Sequence, residues 1–138
     1  AVAAVASGGW TRGAVVTSAY LQFTNKTNNS SATQLVVAGT ATDDAAGFSN
    51  SANNISNRPR TTATVAWAPA AWTTVNQAGP NQRTPDLASV VQEIVNRPGW
   101  ISGNAMAFII SGTAGTRSAH SRDSSAPNAP KLVVTYHM

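Results

Sequence analysis

The chain has 138 residues, 42% of them hydrophobic and only 10% charged, with no cysteine and a formal net charge of +4. That length suits one domain with one core, residues 1–138; the missing thiols exclude disulfides and thiolate metal sites, and no apolar run approaches the roughly 18 residues of a membrane-spanning helix. The nine cations stand singly from Arg12 to Lys131, with no basic run or aromatic-basic strand motif, so neither nucleic acid nor membrane insertion is expected.

The opening AVAAVASGGW lacks the charged start and long apolar stretch of an intact signal peptide. Residues 1–11 read as a processed end, an appended remnant or a first strand, one that a neighbouring subunit can take up. Ala14–Thr24 is a strand by its β-branched and aromatic content, with Val15, Thr17, Ala19, Leu21 and Phe23 on one face. A polar turn follows, carrying glycosylation acceptor patterns at Asn25, Asn28 and Asn29, with another at Asn54. Asn-rich turns also produce that tripeptide by chance. Gln34–Thr42 is a second strand. The next eighteen residues, DDAAGFSNSANNISNRPR, show almost no periodicity, and loops of that length tend to be functional or disordered. Phe48 and Ile55 are expected to pin this one to the core. Thr61–Trp67 resumes strand character and Pro69 breaks it; a polar loop, VNQAGPNQR, comes after Trp72.

TPDLASVVQEIVNRPGW predicts the one helix, over residues 85–96. Thr84 is placed as N-cap, Pro85 at the first helical position and Asp86 in the first turn, where the helix dipole favours negative charge. Leu87, Val90, Val91 and Ile94 form one apolar stripe, and Pro98-Gly99 ends the helix. AMAFIIS, from Ala105, is a nearly continuous apolar strand suited to a central position. Gly112–Thr116 predicts a hairpin-like turn, Arg117–Ser121 a further strand, and Lys131–His137 the last. Many short strands with Gly and Pro punctuation and one small helix predict an all-β fold, an antiparallel, jelly-roll-like β-sandwich.

GAVVTSAYLQF, RPRTTATVAW, the TPDLASVVQEIVNRPGW helix with GNAMAFII, and the closing SRDSSAPNAPKLVVTY together resemble extracellular repeat domains of bacterial surface and secreted proteins, of the DNRLRE-type, carbohydrate-binding-module-like β-sandwiches. The resemblance spans Arg12 to Tyr136. It implies an extracellular, non-catalytic module, structural or sugar-binding, and it implies that Glu93 meets an Arg, with Arg117 and Arg60 as candidates. Such domains usually carry another strand segment ahead of GAVVTSAYLQF, so a shortened first strand leaves an edge open to a neighbour.

Two His and five carboxylates offer little for catalysis. His120-Ser121-Arg122-Asp123 holds the letters of a triad, but sequence neighbours do not form triad geometry. No enzymatic activity and no resident cofactor are therefore expected. For a sugar-binding reading, Trp72 and Trp10 beside loops are the candidate platform residues, while Trp67 and Trp100 are placed in the core. Asp43, Asp44, Asn50 and Asn53 are candidate ligands in the long loop, for hydroxyl groups or for calcium, although a solvated Asx-rich loop reads the same way. The expectations are a self-assembling structural or adhesive module, its partner a second copy of itself, or alternatively a polysaccharide-binding module.

Overall fold

The computed structural model describes residues 5–7 and 10–138. It is mostly antiparallel strands with one short helix. In chain order these are β1 (Val5–Ser7), β2 (Val15–Gln22), β3 (Asn25–Thr27), β4 (Gln34–Thr40), β5 (Arg60–Trp67), α1 (Ala88–Val95), β6 (Ala105–Ala114), β7 (Ser118–Ala119) and β8 (Lys131–His137). One sheet has the order β1-β6-β4-β5, β2 pairs with β8, and β3 pairs with β7.

The core draws on β2, β4, β5, β6 and α1. Val16, Ala19, Leu21 and Phe23 come from the β2 stretch, Val37 from β4, Trp67 from β5, Met106, Phe108 and Ile110 from β6, and Val90, Val91, Ile94 and Val95 from α1. Removing each such side chain from water contributes about 1.5–3 kcal/mol, which makes this cluster the main source of cohesion. The β2 face differs from the alternation expected at its start. The β2–β8 register shifts between Val16 and Ser18, so Thr17 is an inserted residue that resets the phase. Val16 is buried while Val15 and Thr17 are exposed; from Ala19 onward the expected face holds.

Met106 to Ile110 are buried in succession, the pattern of a strand covered on both faces. β6 also runs past the turn expected at Gly112–Thr116, because Gly112 pairs with Leu35 and Ala114 with Gln34 of β4.

The helix starts later than residue 85. Leu87 occupies the N-cap with no side-chain cap bond, and Thr84 and Asp86 serve β2. Thr84 Oγ1 accepts from the buried Leu21 N–H at 3.0 Å. Asp86 Oδ1 accepts from the Ala19 N–H at 2.9 Å and from the Ala88 N–H at 3.0 Å. Gln92 accepts from the Val16 N–H and donates to the Ala14 carbonyl, while the Thr84 and Leu87 N–H groups donate to the carbonyls of Leu21 and Ala19. The edge of β2 away from β8 is thus saturated by a segment that is not a strand, which satisfies backbone groups that burial would otherwise leave costly.

The apolar stripe of α1 also meets β4, at Gly39. A Cβ at Gly39 would fall 2.7 Å from Ile94 Cδ1 and 2.9 Å from Val90 Cγ1, so only glycine admits the helix here. Opposite Gly39, β5 bulges: Ala38 pairs with Thr64 and Thr40 with Arg60, leaving Thr61, Thr62 and Ala63 against a single residue. The Thr61 hydroxyl accepts from the Gly39 N–H and donates to the Ala63 carbonyl.

Candidate functional site

The long loop is ordered by its own side chains. At its start Asp44 Oδ1 accepts from the Ala105 N–H at 2.7 Å, the Ala45 N–H donates to the Ala105 carbonyl, and Asp43 pairs with Arg97 Nε at 2.6 Å. A Cβ at Gly99 would land on the Asp43 carboxylate. This ion pair is half-exposed, so it contributes about 0–1 kcal/mol and acts mainly to fix the chain leaving α1. Asp43 and Asp44 are therefore committed to the α1 exit and β6, whereas Asn50 and Asn53 line a cleft elsewhere on the loop. Among the described residues no three His, Cys, Asp or Glu side chains gather as metal ligands do.

Arg58 organises the rest of the loop. Its guanidinium donates to the carbonyls of Ala46 and Gly47 at 2.8 Å each and to the Asn54 carbonyl at 3.0 Å, and it stacks 4.2 Å above the Phe48 ring. Phe48 accordingly packs under a cation and does not enter the core. Beside this clamp lies a cleft of about 420 Å³. Ile55, Ile109 and Ile110 give it an apolar part, and Asn50, Asn53, Asn54, Ser49, Ser56 and Ser111 supply amides and hydroxyls. Asn53 holds a left-handed φ of 62°, a conformation Asn tolerates better than most residues. Arg60 is the cation of the lining, and among the described residues no side chain or carbonyl binds its guanidinium.

The expected pairing of Glu93 with Arg117 or Arg60 is corrected by the geometry. Glu93 Oε1 accepts from the Thr62 N–H at 2.7 Å and Oε2 from the Ala63 N–H at 2.8 Å, the amides that the β5 bulge withdraws from the ladder. Arg117 instead donates to the carbonyls of Ser31, Pro69, Ala70 and Thr116 and to Thr33 Oγ1, tying three parts of the chain together. Burial pushes its pKa below the usual arginine value. An anchoring role for Glu93 stands, but its partner is backbone.

The tryptophans also sort differently from the expected platform. Trp72 is 2% exposed and its Nε1–H donates to the Asn81 carbonyl at 2.8 Å, so it is a core residue and offers no face to a sugar. It packs 6.5 Å from Trp67, which stacks on Phe23 at 5.8 Å. Trp100 is buried and donates to the Trp10 carbonyl. Trp10 is half-buried, tilted against Tyr136 at 5.9 Å.

The acceptor patterns divide as well: Asn25 is fully buried and bonded to Asn28 and the Thr74 carbonyl, whereas Asn28 is exposed. The two histidines stand on different strand pairs. His120 follows β7 and bonds to Asn76, while His137 sits at the end of β8 opposite Val15.

A second feature lies at the edge of the larger sheet. β1 pairs with β6 only over Val5↔Ala107, Ala6↔Met106 and Ser7↔Ala105. On its other side β6 is paired with β4 from Phe108 to Ala114. Arg58, the Ser111–Ile109 contribution to the cleft and the seating of β1 on β6 were not read from the sequence. The only signal for Arg58 was its position closing an Asn- and Ser-rich loop before Pro59. No known family model, curated protein sequence or solved structure matches this chain.

Proposed function

We propose that the chain is a non-catalytic, extracellular structural or adhesive module, a jelly-roll-like β-sandwich that assembles with copies of itself by strand exchange. The observation that supports this is the β1–β6 ladder, in which β1 is held at the margin of the larger sheet by backbone pairing over Val5–Ser7. Backbone pairing of that kind does not depend on side chains, so the same segment of a second chain can take the place of β1 on β6. On a neighbour's β6, Val5–Ser7 can take the backbone register it has on its own, and such an exchange couples copies head to tail. The weakly charged surface rich in Ala, Ser, Thr and Asn, and the resemblance to surface-protein repeat domains, support an extracellular setting.

The test is deletion of residues 1–8, followed by light scattering and negative-stain microscopy over a concentration series. The full chain is expected to form oligomers or filaments and the shortened chain to stay monomeric. Assemblies that persist unchanged after deletion, or a full chain that is monomeric throughout, overturn the proposal.

The alternative reading, a polysaccharide-binding module, loses its platform with the burial of Trp72. The loop cleft supports it in a different form.

A further inference from the structure

We propose that the cleft beside the 43–59 loop binds a carboxylated pyranose, a uronate unit of an acidic polysaccharide, with Arg60 holding the carboxylate. This goes beyond the assembly reading and does not depend on it. The volume of about 420 Å³ lies within the roughly 300–1,000 Å³ of small-molecule sites.

Three features of the lining set the ligand chemistry. The half-buried side chain of Ile55 suits the C–H face of a sugar ring. The amides of Asn50 and Asn53 both donate and accept, as ring hydroxyls require. The Arg60 guanidinium has no partner among the described residues, and none of the residues lining the cleft is acidic. A free guanidinium is a bidentate carboxylate receptor. A neutral sugar leaves that cation unused, and a simple carboxylate leaves the amides and the apolar part unused; a uronate engages all three.

The cleft is also built before any ligand arrives. The bonds from Arg58 to Ala46, Gly47 and Asn54 fix the loop from behind, so little ordering entropy is lost on binding.

Titration calorimetry of the full chain with a galacturonate trisaccharide at low salt tests this, with cellotriose as the neutral counterpart. Arg60→Gln is expected to weaken galacturonate binding about tenfold or more, and Asn50→Ala severalfold. Lys131→Gln, which removes the same charge from β8, is expected to change it less than about twofold, the difference between a bidentate contact and diffuse attraction. Cellotriose is expected to bind more weakly than galacturonate by a factor similar to that of Arg60→Gln. If Arg60→Gln does not fold, Asn50→Ala and the two-sugar comparison decide. Undetectable galacturonate binding, equal binding of both sugars, or equal losses in Arg60→Gln and Lys131→Gln overturn the proposal.

Discussion

Glu93 shows how a single carboxylate substitutes for a ladder partner. The bulge at Thr61–Ala63 makes room for Gly39 and the helix above it, and it leaves two adjacent amides pointing at one side chain. Glu93→Gln keeps the shape but replaces one acceptor oxygen with a donor NH₂ facing an N–H. Hydrogen bonds to a charged group contribute about 1.5–3 kcal/mol, so thermal unfolding of Glu93→Gln is expected to shift down by several degrees. Arg60→Gln should leave the midpoint where it is, because among the described residues nothing binds that guanidinium; equal losses in the two variants would restore an ion pair. The family resemblance implied that Glu93 is held by a partner. Its partner was not legible, since backbone amides carry no residue identity and a bulge leaves no sequence signature.

At the scale of elements, the stretch from Thr84 to Gln92 covers the edge of β2. Leu87, Val90, Val91 and Ile94 are all buried, as their spacing predicted. The start was misplaced for a physical reason: Thr-Pro-Asp offers the same oxygens to a neighbouring strand edge as to a first helical turn, and only the packing decides which amides reach them. Thr84→Val removes the acceptor for the Leu21 N–H inside the protein. It is expected to cost about 1–3 kcal/mol and to raise amide exchange at Leu21 more than at Tyr20. Uniform acceleration across β2 would instead point to general loosening.

At the scale of the whole molecule, the β-rich character, the order of the long strands and the central β6 were legible because period-two and continuous apolar patterns survive any topology. The pairing of β1 with β6 and the folded-back loop were not, being set by long-range contacts that no local pattern encodes. Trp67, Trp72 and Trp100 belong to one cluster with residues of β2, β4, β6 and α1. Unfolding followed by near-ultraviolet circular dichroism, which reports these rings, should therefore coincide with unfolding followed by backbone signal. Separated transitions would show that the sheets part independently.

The Arg58 clamp has a consequence for variation. Its acceptors at Ala46 and Gly47 are main-chain carbonyls, and at Asn54 both the carbonyl and the side-chain Oδ1 accept. Asn50 and Ser51, on the cleft side, supply none of them. Asn50, whose side chain takes no part in the clamp, is therefore a position on the cleft side that can be exchanged while the path of the chain is kept.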